Sequence, residues 1–163
     1  MQVVAELKCD WDDKRDEQVC QQRGQAPAAI RTIVIREMRR LGLPATEDDQ
    51  IKFDILTSKS AGWSVVDGSY YRRRGENAAF CQVVVTVDET SHVNVLRIHR
   101  FGKTDPDVPK GTSWSPLGIV DVNGDGEAEI ILQADEYENH WLEVVSLHEG
   151  EARTIFSGLG YYL

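Results

Sequence analysis

Between residues 121 and 129 an oxygen-bearing side chain recurs at every second position: Asp121, Asn123, Asp125, Glu127 and Glu129. A tightly curled chain can turn such a series toward one point, where hard oxygen donors select a hard cation, calcium ahead of the softer transition metals. In that arrangement Asp121, Asn123 and Asp125 offer side-chain oxygens, Glu127 its backbone carbonyl, and Glu129 a terminal carboxylate. Gly124 and Gly126 supply positions that can take positive φ without a Cβ penalty. Converged carboxylates repel one another unless a cation lies between them, so the expected first role of the ion is structural. The same composition also suits a solvated, metal-free turn, and a calcium titration separates the two.

The segment starts like an EF-hand loop and does not finish like one. The twelfth position counted from Asp121 is Leu132, where an EF-hand needs an acidic residue, and the flanks read as strands rather than helices. What remains resembles the calcium loop of the FG-GAP and VCBS families, in which an Asp-x-Asp/Asn-x-Asp-Gly-x-x-Asp/Glu segment joins two antiparallel strands. The resemblance spans about residues 117–147. It implies calcium on Asp121, Asn123, Asp125, Glu127 and Glu129, and an exported or surface-associated bacterial protein, extracellular or periplasmic. A closed propeller needs several blades of about 40–50 residues, whereas this chain holds one copy of the loop. A single blade-like hairpin unit at the C-terminus is the expectation.

A second candidate lies just downstream. Asp135, Glu136, Glu138, Asn139, His140 and Trp141 form an acidic tip between two strand-like runs. Trp141 could serve as a stacking platform, with Glu138 and His140 beside it, for a protein or glycan partner; the alternative is a solvated turn with Trp141 capping the core. Other chemistries lack their motifs. Thr112, Ser113 and Ser115 do not sit in a Gly-x-Ser-x-Gly elbow, the four histidines show no His-Glu-x-x-His spacing, and no phosphate-cradling glycine loop is present. An enzyme, for instance a hydrolase with a cleft assembled only by folding, is one rival reading, and a structural module of a larger assembly is another.

Charge narrows the partners. Formal net charge is -9, and residues 116–163 hold ten acidic side chains against the single Arg153, while residues 1–115 balance seventeen acids with seventeen bases. Such a segment attracts cations and repels phosphate backbones, so no nucleic-acid partner is expected, even though Tyr70 to Arg74 combines aromatics with three arginines. The longest apolar runs fall far short of the roughly 20 residues that span a bilayer. Residues 1–8 show no basic stretch followed by an apolar one, so no signal peptide is expected in them.

The elements that must position these residues follow from periodicity. Ile30, Ile33, Val34, Met38 and Leu41 recur on one helical face. Pro27 suits the first turn, and Gly42 with Pro44 supplies a stop; a helix is predicted over 27–41. Beyond it the period drops to two, and strands are predicted over 51–55, 63–66, 70–73, 80–87, 92–99, 118–120, 128–134, 141–147 and 154–156. Asp67-Gly68 and residues 88–91 read as hairpin turns, residues 104–115 as a longer connection, and the polar residues 10–22 carry no assignable period. Cys81 sits inside an apolar run as a small hydrophobe; Cys9 and Cys20 flank a charged segment and could bridge in an oxidising compartment.

The expected architecture is a single α+β domain, residues 1–163. It comprises a polar N-terminal segment and helix over 1–45, a β meander over 46–103, a connection over 104–115 and an acidic calcium-loop hairpin unit over 116–163. One amphipathic helix covers one mostly antiparallel sheet. The expected function is that of a calcium-stabilised binding or interaction module.

Overall fold

A computed structural model describes residues 7–10, 19–43, 45–46, 50–74, 77–102, 111–136, 139–148, 150–158 and 161–162. The helix α1 spans Ala28–Arg40. Its end is a Schellman motif: the Leu43 N–H reaches the Met38 carbonyl at 2.8 Å and the Gly42 N–H reaches that of Arg39 at 3.0 Å. Gly42 takes the left-handed φ of 76° that this closure needs.

The strands are β1 Leu7–Asp10, β2 Val19–Gly24, β3 Lys52–Ser58, β4 Trp63–Arg74, β5 Asn77–Asp88, β6 Val93–Gly102, β7 Ser113–Val120, β8 Glu129–Glu136, β9 Asn139–His148, β10 Glu151–Ser157 and β11 Tyr161–Tyr162. They form two antiparallel sheets. The first runs β1-β2-β3-β4-β5-β6; the second runs β10-β9-β8-β7, with β11 also paired to β9.

The expectation of one helix on one meander with a C-terminal hairpin unit is therefore corrected: the fold is β-rich and built on two sheets. The physical reason lies in the central strands, which are apolar on both faces. On β5, Val83 and Val85 join Ile33, Val34, Ile35 and Met38 of the helix in one buried cluster. The intervening Val84 belongs to a second cluster with Leu56, Val65, Leu96, Ile119, Ile130, Leu132 and Val145. Alternate residues of one strand thus need cover on both sides, which a lone helix cannot give. The second sheet supplies the missing layer.

Three further expectations change. Residues 10–22, without an assignable period, include parts of β1 and β2, whose register sets Cys9 opposite Cys20; the side chains of both cysteines lie outside the described residues. Asp67-Gly68 is no turn, because both residues lie inside the continuous strand β4. Gly68 is needed for another reason: a Cβ there would stand 2.6 Å from Val34 Cγ1, so the bare backbone lets the helix approach. The connection predicted over 104–115 falls for residues 104–110 outside the described residues, and β7 already begins at Ser113.

The two sheets are joined by polar clasps as well as by the apolar core. Arg97 on β6 donates to Glu143 Oε2 on β9 from Nε at 2.9 Å and from Nη2 at 2.6 Å, and to Thr154 Oγ1 on β10 at 2.5 Å. The Arg97 guanidinium also lies 5.9 Å from the ring centre of Trp114 on β7, and Trp141 Nε1 donates to Glu143 Oε1 at 3.1 Å. Gln82 on β5 bonds reciprocally with the Trp114 backbone, donating to its carbonyl at 2.7 Å and accepting from its N–H at 3.0 Å. Among the described residues no helix is long and apolar enough to cross a membrane.

Candidate functional site: the β7–β8 loop and the outer face of the second sheet

The loop from Asp121 to Ala128 joins β7 to β8, and Glu129 opens β8. Its curl is written by side-chain oxygens that accept from the backbone just ahead. Asp121 takes the Gly124 N–H at 2.6 Å on Oδ1 and the Gly126 N–H at 2.9 Å on Oδ2. Asn123 Oδ1 takes the Asp125 N–H at 2.8 Å, and Asp125 Oδ1 takes the Glu127 N–H at 2.7 Å. Gly124 and Gly126 stand at φ of 81° and 91°, a region where a side chain would strain the turn. The N–H groups of Gly126 and Gly124 hold the Asp121 carboxyl below the usual carboxylate range.

Glu129 differs from the rest. It is 1% exposed, yet its carboxylate points back into the loop, where Oε2 accepts the Val122 N–H at 2.9 Å and Oε1 the Asn123 amide at 3.1 Å. Asn123 Nδ2 also reaches Asp125 Oδ2 at 2.8 Å. Hydrogen bonds therefore link Asn123, Asp125 and Glu129 directly, and Asp121 closes the same turn through the glycine N–H groups. Glu127 is exposed and enters this network through its N–H alone.

The donor chemistry suits a hard cation. Each carboxylate oxygen that has accepted one N–H retains a second lone pair, and oxygen donors of this kind are those that calcium takes. The carboxylates are not gathered at one point: among the described residues no three His, Cys, Asp or Glu side chains converge in ion-holding geometry. An ion at this loop would draw Asp121, Asp125 and Glu129 inward from their N–H partners.

The acidic tip divides. Glu138 lies outside the described residues. His140 and Trp141 both border a hollow of about 600 Å³, together with Gln133 of β8, Leu142 of β9 and Phe156 of β10. Ser157 and Gly158 border it too, and the Gly158 N–H bonds the Leu142 carbonyl at 2.7 Å. Leu142 and Phe156 are 45% and 55% exposed. Register explains the composition. Leu142 faces Gln133, His140 faces Asp135 and Phe156 faces Val144, so these positions alternate with Val145, Leu132 and Ala134, which are buried. Asp135 Oδ1 collects two partners, Gln133 Nε2 at 2.8 Å and His140 Nδ1 at 2.5 Å.

Gln133 and Phe156 were missed in the sequence reading because they meet His140 and Trp141 only across strand pairs, and Leu142, next to Trp141 on β9, because an apolar residue in a strand reads as core. One signal was available: Ile155-Phe156 is an apolar pair in a short strand otherwise flanked by polar residues.

One further group was missed. Asp67 on β4 is 9% exposed and accepts from Gln82 Nε2 at 3.0 Å. Burial, with a smaller contribution from the charge of Asp54, pushes its carboxyl up to about 7 against the opposing Gln82 hydrogen bond. No family model matches the chain, nor does any curated protein or any solved structure.

Proposed function

We propose that this chain is a calcium-stabilised binding module of an exported or surface-associated bacterial protein. In this reading the ion at residues 121–129 fastens β7 to β8, and the outer face of the second sheet meets the partner. The resemblance of residues 117–147 to the FG-GAP and VCBS loops belongs to the same reading.

The observation that carries it is Glu129. A carboxylate removed from water needs a counter-charge or dense hydrogen bonding, and among the described residues no Lys, Arg or His forms an ion pair with it. Two uncharged donors, the Val122 N–H and the Asn123 amide, are its partners, and Asp121 and Asp125 belong to the same short loop. A calcium ion supplies the missing positive charge. The placing of Cys9 opposite Cys20 fits export, and an extracellular module would bind calcium at about 10⁻⁴–10⁻³ M.

The hydrolase reading draws little from the hollow. Ser157 pairs with Glu143, three residues along β9 from His140, about 10 Å at the ~3.3 Å rise per residue. Among the described residues no serine hydroxyl is hydrogen-bonded to a histidine ring.

Calorimetric and thermal titration of chelator-stripped protein tests the reading. Calcium is expected to bind and to raise the melting temperature, and Glu129→Gln is expected to fold with both effects lost. Binding heat and thermal shift absent from the unaltered chain would sink the calcium assignment.

A further inference from the structure

None of the described residues bordering the hollow on the second sheet is Asp, Glu, Lys or Arg. A charged ligand would leave water there with no counter-charge in the lining. An anion would also meet the field of residues 116–163, ten acids against one arginine. At about 600 Å³ the hollow falls within the roughly 300–1,000 Å³ of small-molecule sites. Its apolar part is Phe156 and Leu142, 55% and 45% exposed. Phe156 pairs with Val144, two residues along β9 from Leu142, so the two side chains are diagonal neighbours. A Cβ at Gly158 would stand 3.3 Å from Phe156 Cε1, and the bare backbone there gives the ring its seat.

The polar part lies beside this platform on the same face of the sheet. Gln133 stands opposite Leu142, and His140 is two residues before Leu142 on β9. Each gives one nitrogen to Asp135, Gln133 Nε2 at 2.8 Å and His140 Nδ1 at 2.5 Å. Among the described residues the Gln133 carbonyl oxygen, its second amide hydrogen and His140 Nε2 have no partner. A hydroxyl both donates and accepts, so it serves either side of the amide, and it serves Nε2 whether or not that nitrogen carries a proton. A hydrocarbon would cover these groups and leave them unpaired. We propose that this hollow binds a neutral saccharide. One pyranose ring lays its C–H face on Phe156 and Leu142, where the phenyl face is the negative part of the ring quadrupole, and turns its hydroxyls to Gln133 and His140. This assignment rests on reading the sheet as the binding face and adds the ligand class.

Four probes built on one six-membered ring decide it: the neutral methyl β-D-glucopyranoside and methyl β-D-galactopyranoside, the carboxylate-bearing methyl β-D-glucuronide, and methoxycyclohexane, which has no hydroxyl. Each is titrated into isotope-labelled full-length protein in the presence of calcium, with backbone amide signals followed by NMR. At least one neutral pyranoside is expected to shift the signals of Gln133, His140, Leu142, Ser157 and Gly158 saturably. It should bind about tenfold more tightly than methoxycyclohexane, the worth of one or two net hydrogen bonds, and more tightly than the glucuronide. Gln133→Met removes the amide at similar length and should bring the pyranoside down to the level of methoxycyclohexane. Phe156→Ala, at an exposed position, should weaken both together, while signal dispersion reports an intact fold in each variant. Methoxycyclohexane or the glucuronide binding as tightly as the better pyranoside, or a pyranoside indifferent to either substitution, overturns the saccharide assignment and leaves a binding face. No saturable shift at these residues from any of the four overturns both.

Discussion

Asp67 lies between the sheets, beside Asp54 on β3 and under the amide of Gln82, and its carboxyl titrates at about 7 in place of 3.8. Between those two values the native chain holds a proton that the unfolded chain has released. Stability contributed by the protonated group is present below 3.8 and falls as pH rises toward about 7, by roughly 1 kcal/mol per pH unit. Asp121 has the opposite sign: its carboxyl is held down by the Gly126 and Gly124 N–H groups, so its contribution is present above the ordinary carboxylate value and is lost as pH falls through its lowered one. Asp67→Asn mimics the protonated acid and still accepts from Gln82. Thermal melts of this variant are expected to lose the decline between pH 4 and 7 and to exceed the unaltered protein at about pH 8. A variant that keeps the decline would show that another group causes it. None of this could be read from the sequence, where Asp67-Gly68 looks like a turn dipeptide; burial by a distant sheet is what makes the aspartate unusual.

Elements show where local chemistry is enough and where it is not. The helix is legible because its apolar spacing, Gly42 and Pro44 are local signals, and α1 occupies Ala28–Arg40 inside the predicted 27–41. The loop at 121–129 is legible in composition for the same reason, since the Asx-type bonds of Asp121, Asn123 and Asp125 reach only two to five residues along the chain. Gly68 is legible as a glycine but not in its purpose. With Val34 Cγ1 2.6 Å from where its Cβ would stand, Gly68→Ala should push the helix off β4 and cost about 1–3 kcal/mol in denaturant melts; an unchanged midpoint would mean that the helix yields freely. At the other edge of the first sheet, the Cys9–Cys20 register sets two Cα atoms about 4.5–5.5 Å apart, within the span of a disulfide. Protein refolded with a glutathione redox buffer is expected to show one titratable thiol, and its mass should rise by two hydrogens on reduction. Three titratable thiols under oxidising conditions would refute the bridge.

The whole molecule is held together across the gap between its sheets, by the cluster of Leu56, Val65, Val84, Leu96, Ile119, Ile130, Leu132 and Val145 and by the Arg97–Glu143 pair at its side. These two side chains are 18% and 12% exposed, so the pair is shielded more than a surface bridge and less than a core one. Arg97→Met strands the Glu143 charge and should cost about 2–3 kcal/mol, below the ~3–5 of a fully buried pair. Changing Glu143→Met as well should recover much of that loss, because two apolar side chains need no counter-charge. Equal stability of the single and double variants would assign the cost to packing instead. Sequence pattern was sufficient for the helix, for the apolar stretches of β3 to β10 and for the oxygen-rich loop, because each is encoded within a few neighbouring residues, but not for β1, β2 or the continuity of β4 through Asp67-Gly68. Folding in three dimensions decided that the strands divide into two sheets, that Asp67 is sealed between them, and that Gln133, His140, Leu142 and Phe156 share one hollow. Those outcomes depend on which faces find cover and which strands pair, and such contacts join residues far apart in the chain.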